Sequence, residues 1–279
     1  MTEIEEFFDL FFYRPLAFLL VKIIYPTNIT PNQLTITAII IGIASGFVYS
    51  SPLPNACLYG AILFMLYNIF DCSDGQLARL KKNGTHVGRI VDGIADYLST
   101  AAVFLGLGFG YPDHTYSHSM WWLLIVLAAF SNIIQSALVD YYRNRFLDYV
   151  LQRKSTFEED MESFRAEYES IKNKKGYWLD KFILTSYFKY SSLQEKLTSK
   201  QKGEKLFKAT PQEYYKKNKI LARSWVNIGP TAQITAIMIF SAIKRFDIYF
   251  CLIIGVFNLV AIINWLVQRN IDKSFKTIS

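Results

Sequence analysis

Residues 55–79 read NACLYGAILFMLYNIFDCSDGQLAR, an apolar run that ends in two aspartates. Two more aspartates, Asp92 and Asp96, lie at the start of the next apolar run. On a helix Asp71 and Asp74 would share one face, and Asp92 and Asp96 would likewise share one face of the next helix. An ionised carboxylate in a bilayer is costly unless something compensates its charge. Two antiparallel helices would therefore gather four carboxylates, which fits two divalent cations and phosphoryl transfer.

This spacing resembles the signature of the CDP-alcohol phosphotransferase family, D-x2-D-G-x2-A-R-x8-G-x3-D-x3-D. Every fixed position is met, by Asp71, Asp74, Gly75, Ala78, Arg79, Gly88, Asp92 and Asp96. The segment Pro31-Asn32-Gln33-Leu34-Thr35 is similar to the P-N-x-(V/L/I)-T of the family's first helix. The resemblance implies an integral membrane enzyme with six transmembrane helices. Such an enzyme transfers a substituted phosphate from a CDP-linked alcohol to a second alcohol and releases CMP.

Composition favours a membrane protein over a soluble domain. The chain is 52% hydrophobic, and its apolar residues are clustered in long runs. The net charge is +7, but the basic residues lie beside the apolar segments. This placement favours an anionic membrane face or an anionic substrate over nucleic acid. The three cysteines, Cys57, Cys72 and Cys251, have no metal-ligand spacing and predict neither a zinc site nor a disulfide framework.

The predicted fold is all-α: a polytopic membrane protein with six transmembrane helices, an N-terminal interfacial helix and a helical cytoplasmic insert. The expected spans are about 30–51, 55–80, 86–110, 121–140, 222–243 and 246–267. Gly229-Pro230 should kink the fifth span. These spans divide the chain into four parts. They are an interfacial segment at 1–29, helices one to four at 30–147 with the catalytic motif at 71–96, a soluble insert at 148–221, and helices five and six with the C-terminal tail at 222–279.

The distribution of basic residues predicts the orientation in the membrane. Lys and Arg gather near residue 80, in 143–223 and after residue 269, whereas the loops near 52 and 113 have none. By the positive-inside rule, both termini and the aspartate site face the cytoplasm.

The resemblance also implies roles for individual residues. Two divalent ions, Mg²⁺ or Mn²⁺, would be held by Asp71, Asp74, Asp92 and Asp96, and Asp96 would also be the general base. The nucleotide would lie against Asn32, Thr35, Asp71, Gly75, Ala78 and Arg79. The expected partners are the lipid bilayer, a CDP-linked lipid such as CDP-diacylglycerol, a polar alcohol acceptor and a second copy of the chain.

The acceptor is expected to be phosphorylated, for example inositol phosphate or glycerol phosphate. Arg143, Arg145 and Arg223 lie at the cytoplasmic ends of the fourth and fifth helices, where they could bind its phosphate. An equally good explanation for each arginine is that it only follows the positive-inside rule, which places basic residues on the cytoplasmic side. A lipid acceptor that receives its headgroup from CDP-choline or CDP-ethanolamine is a further alternative.

Two readings without transferase activity compete with this one. The aspartates could form ion pairs with Arg79 and Arg89, although that leaves four acids with two bases and leaves Gly75 and Gly88 unexplained. The chain could also be an intramembrane cation-binding or transport protein. Such a protein would have no need of the Gly75, Ala78 and Arg79 frame.

Overall fold

A computed structural model of the chain describes residues 4–82, 86–152 and 210–276, with 164–166, 168–172, 181 and 185 between them. Most of the insert predicted at 148–221 therefore lies outside the described residues. Within the described ranges no strand occurs, which confirms the all-α prediction. The helices are α1 Arg14–Ile24, α2 Pro31–Tyr49, α3 Ala56–Lys81, α4 His86–Gly110, α5 His118–Leu151, α6 Pro211–Val226, α7 Pro230–Ala242 and α8, which joins Phe246–Phe250, a π-helical stretch Cys251–Phe257 and Asn258–Lys276. A π-helical turn, Asp9–Tyr13, leads into α1.

Five of these helices, α2, α3, α4, α5 and α8, are long and apolar enough to cross a membrane. The chain is thus an integral membrane protein. The fifth span, predicted as one kinked helix, is instead divided at Gly229-Pro230 into two helices, α6 and α7. The 13 residues of α7 rise about 20 Å, less than the hydrocarbon core of about 30 Å. Six spans therefore remain a prediction.

Local signals explain where the helices begin and end. Thr30 closes a capping box with Gln33, and Pro31 takes the first helical position of α2. Thr210 and Glu213 form the same box before α6. The chain leaves α3 at Lys82, whose φ of 52° is in the left-handed region that commonly ends a helix.

Helix α2 packs against both α3 and α4 and so sets the geometry of the aspartate-bearing helices. A Cβ added at Gly46 would lie 2.3 Å from the backbone oxygen of Ala102 in α4. The absence of a side chain at Gly46 therefore allows α2 and α4 to pack closely. Helices α1 and α7 also pack on α3, and α6 packs on α5 and α8. This arrangement leaves a cavity between the end of α3, the first half of α4 and α5.

Candidate active site

Three of the four predicted carboxylates form one cluster. Each of Asp71, Asp74 and Asp92 offers an oxygen atom, and these atoms lie within 4.8 Å of one another. Oδ1 of Asp71 and Oδ1 of Asp92 are buried without a hydrogen-bond partner. Carboxylates this close repel one another at low dielectric, and unpaired buried oxygens are costly. The donor set therefore fits a hard divalent cation, which prefers oxygen ligands.

The hydroxyl of Thr35 contacts this cluster. Its Oγ1 donates a hydrogen bond of 2.5 Å to Oδ2 of Asp74, which is only 6% exposed. Thr35 thereby fixes one carboxylate of the cluster from the neighbouring helix α2. Asn32, one turn earlier, is exposed and lies outside the cavity lining.

Asp96, the fourth predicted carboxylate, is not one of the three clustered carboxylates. It follows Asp92 by one helical turn and faces the cavity. The hydroxyl of Tyr67 donates a hydrogen bond of 2.5 Å to its Oδ1. The structure therefore distinguishes Asp96, which has a phenol donor, from the carboxylates that lack one.

The cavity holds about 820 Å³ and has two chemically different ends. Arg79 and Arg143 line the same end as the aspartates. Phe104, Trp122 and Ile125 line the other end, deeper along α4 and α5. The lining also includes four exposed side chains of α4 and α5, namely Tyr97, Leu105, Val126 and Ile133. A molecule with an ionic head and an apolar tail fits this cavity.

Gly75 forms part of the cavity wall beside Asp74. A Cβ added there would meet only Nη1 of Arg79, at 3.5 Å, which is an ordinary contact. Gly75 thus leaves space in the cavity, and helix packing does not require a glycine at this position. Arg79 lines the cavity as well, whereas Ala78 is half-buried and lies outside the lining.

The three arginines proposed for the acceptor occupy different surroundings. Arg143 lines the cavity, and its buried Nε has no hydrogen-bond partner. Arg145 instead donates to Asp272 at 2.9 Å. Arg223 is exposed on α6 and does not line the cavity. Arg143 alone of the three is in a position to contact a molecule bound in the cavity.

The N-terminal segment contributes side chains that sequence reasoning missed. Glu6, Asp9 and Arg14 all line the cavity, and Arg14 pairs with Asp9 at 2.9 Å. The Glu6 carboxylate accepts a hydrogen bond of 3.1 Å from the backbone N–H of Ala232, in the first turn of α7. Burial raises the pKa of the Glu6 carboxyl to about 7. No short-range pattern indicates this contact, because 226 residues separate its two partners.

Comparison with known proteins gives a family match whose range includes these aspartates. Residues 28–150, rather less than half of the chain, match the family described as CDP-alcohol phosphatidyltransferase. A phosphatidylinositol phosphate synthase of Corynebacterium glutamicum is 27% identical over 142 residues, 50% of this chain and 56% of that protein. Another from Mycobacterium marinum is 29% identical over 140 residues, 47% and 52% of the two chains.

A third similar protein has a different activity. The bifunctional IPC transferase and DIPP synthase of Thermococcus kodakarensis is 29% identical over 119 residues, 43% of this chain and 26% of that protein. The chain thus spans between about a quarter and just over half of the length of these relatives.

Proposed function

We propose that the protein, whose residues 28–150 match the CDP-alcohol phosphatidyltransferase family, transfers a phosphatidyl-type group from a CDP-linked lipid to a polar alcohol, releasing CMP. The observation that carries this proposal is the cluster of Asp71, Asp74 and Asp92, with unpartnered oxygens, at the head of a cavity whose other end is apolar. A cation-transport protein would need the carboxylates but no apolar end beside them.

The three clustered carboxylates, together with Asp96, would hold Mg²⁺ or Mn²⁺, as two ions in the arrangement the family resemblance implies. Bound there, the ions supply positive charge against the diphosphate of the donor. Thr35 holds Asp74 in place for this task. Gly75 leaves room for the nucleotide, and Arg79 reaches the same space.

In the reaction, the acceptor hydroxyl attacks the donor phosphorus that bears the lipid alcohol. A new phosphorus–oxygen bond forms, and the bond from that phosphorus to the bridging oxygen of CMP breaks. The hydroxyl proton passes to Asp96, which acts as the general base. Asp96 suits this role because it is open to the cavity.

The donor in this proposal is CDP-diacylglycerol. Its acyl chains would lie along Phe104, Trp122 and Ile125, and they would enter from the bilayer between α4 and α5, where Leu105 and Ile133 are exposed. Burial of apolar surface contributes about 25 cal/mol per Å², so this end of the cavity favours a lipid over a water-soluble donor.

The acceptor in this proposal is a phosphorylated alcohol such as inositol phosphate or glycerol phosphate. Arg143 would bind its phosphate, because the guanidinium lines the cavity and its Nε has no partner. Two of the similar proteins are phosphatidylinositol phosphate synthases, which supports the same class of acceptor. We place the site and both termini in the cytoplasm and propose a homodimer.

The test is CMP release by the purified protein with Mg²⁺. The panel pairs CDP-diacylglycerol with inositol phosphate, glycerol phosphate, inositol or serine, and pairs CDP-choline or CDP-ethanolamine with diacylglycerol. We expect turnover with CDP-diacylglycerol and a phosphorylated acceptor. Loss of one charge-assisted hydrogen bond in Arg143→Ala should raise the acceptor KM about 10- to 100-fold.

Arg223→Ala is the matched control, since Arg223 is exposed and outside the cavity. It should leave the acceptor KM unchanged. Turnover only with CDP-choline or CDP-ethanolamine would contradict the assigned donor and acceptor. Equal acceptor KM values for Arg143→Ala and the unmodified protein would remove Arg143 from the site.

A further inference from the structure

Tyr67 connects the buried core to Asp96, although it is not part of the aspartate signature. It precedes Asp71 by one turn of α3 and is fully buried. Its hydroxyl reaches Oδ1 of Asp96 at 2.5 Å. A phenol has one proton to donate, and in this contact a carboxylate oxygen accepts it.

The ring of Tyr67 is held from several sides. Phe64 stacks on it with ring centroids 5.5 Å apart and an interplanar angle of 6°. A Cβ added at Gly42 of α2 would lie 3.1 Å from Cδ2 of Tyr67 and 2.3 Å from Oγ of Ser99. The ring is therefore fully buried against α2 and α3, and close packing restrains the position of its hydroxyl.

This fixed donor gives the two oxygens of Asp96 different surroundings. We propose that Tyr67 is a positioning residue for the reaction proposed above, on which this inference rests. It holds Oδ1, so that the other oxygen receives the proton of the acceptor hydroxyl. The same hydrogen bond occupies Oδ1, which without the phenol donor would be free for a bound cation.

Two other buried tyrosines show what a structural hydroxyl does in this fold. Tyr49 pairs with Ser241 at 2.8 Å, and Tyr13 pairs with Thr235 at 3.0 Å. Both contacts link helices through neutral hydroxyls. Tyr49 is 1% exposed and does not line the cavity, so Tyr49→Phe removes an equally buried hydroxyl far from the reaction.

The first test compares Tyr67→Phe with Tyr49→Phe in steady-state CMP release. Loss of the donor should lower kcat about 10- to 100-fold, because a misplaced catalytic group costs rate rather than binding. The KM of donor and acceptor should stay within about threefold. Tyr49→Phe should keep the kcat of the unmodified protein. An unchanged kcat in Tyr67→Phe, or an equal loss in both variants, would overturn the proposal.

The second test measures Mn²⁺ binding by electron paramagnetic resonance without substrates. Once the phenol donor is absent, Asp96 is free to offer both oxygens, so Tyr67→Phe should bind Mn²⁺ about threefold more tightly or better. Adding Asp96→Asn to Tyr67→Phe should reverse this gain. Unchanged or weaker binding in Tyr67→Phe would overturn the proposal.

Failure of the proposed function and failure of the proposed role of Tyr67 give different results. Absence of CMP release by the unmodified protein with every substrate pair contradicts the proposed function. The Mn²⁺ measurement still decides whether Tyr67 restrains Asp96.

Discussion

A packing role and a ligand-binding role of Gly75 predict different effects of the substitution Gly75→Ala. An added Cβ meets nothing closer than 3.5 Å, so Gly75→Ala should fold and keep its melting temperature in detergent. The methyl group would nevertheless occupy cavity space, and we expect a rise in donor KM of about tenfold, roughly 1.4 kcal/mol. Kinetics of CMP release with varied CDP-diacylglycerol check this.

Gly255→Ala is the control for Gly75→Ala. An added Cβ at Gly255 meets nothing within 4 Å, and Gly255 does not line the cavity. It should change neither stability nor KM. If Gly75→Ala lowers the melting temperature and leaves the donor KM alone, Gly75 is a packing residue.

Single residues were predictable from sequence where spacing alone decides their position. Asp71 and Asp74 meet because three residues on a helix return to one face. Thr35 was predicted to line the nucleotide pocket, and that role stays a prediction. Its hydrogen bond to Asp74 spans 39 residues and depends on how α2 and α3 pack, which spacing does not specify.

At the scale of elements, Glu6 couples the N-terminal segment to the start of α7. Its raised pKa of about 7, against a usual 4.5, means that the folded state holds the proton more tightly than the unfolded state. The stabilising contribution is therefore complete below about pH 4.5 and is lost as the pH rises to about 7. Ionised Glu6 remains buried beside Asp9, which disfavours its charge.

Glu6→Gln removes this titration and keeps a carbonyl oxygen that accepts from the N–H of Ala232. Between pH 5 and pH 8 the melting temperature of the unmodified protein, measured relative to that of Glu6→Gln, should fall. Thermal unfolding in detergent at several pH values measures the difference. Parallel curves for the two proteins would show that Glu6 does not titrate in this range.

Helices were predictable from the sequence where clear start and stop signals bound an apolar run. The spans predicted at 30–51, 55–80 and 86–110 correspond to α2, α3 and α4, because proline, capping residues and charged connections bound each run. The fifth span was predicted as one kinked helix. The structure instead separates α6 from α7, since Pro230 begins a new helix after Gly229.

The molecule as a whole should have a fixed orientation in the membrane. Thr115 lies between α4 and α5, and Ser274 lies near the end of α8; both are exposed. In a background without Cys57, Cys72 and Cys251, we expect Ser274→Cys to be labelled from the cytoplasmic side and Thr115→Cys from the opposite side. Labelling both from the same side would refute this topology.

The composition predicted the membrane class, but it did not predict which distant segments of the chain contribute to the site. The aspartates lie within the segment that matches the family, whereas Glu6 and Thr231 come from outside it and line the same cavity. Contacts between such distant segments depend on tertiary packing, for which the sequence pattern carries no signal.

The central claim is that the clustered carboxylates carry out metal-dependent transfer. Its most direct measurement is CMP release from CDP-diacylglycerol and a phosphorylated acceptor after metal removal with EDTA, with and without added Mg²⁺. We expect the unmodified protein to regain activity with Mg²⁺ and Asp92→Asn to remain inactive, since the variant lacks one carboxylate of the cluster. CMP release that persists without divalent ions, or that Asp92→Asn retains at the level of the unmodified protein, would contradict the claim.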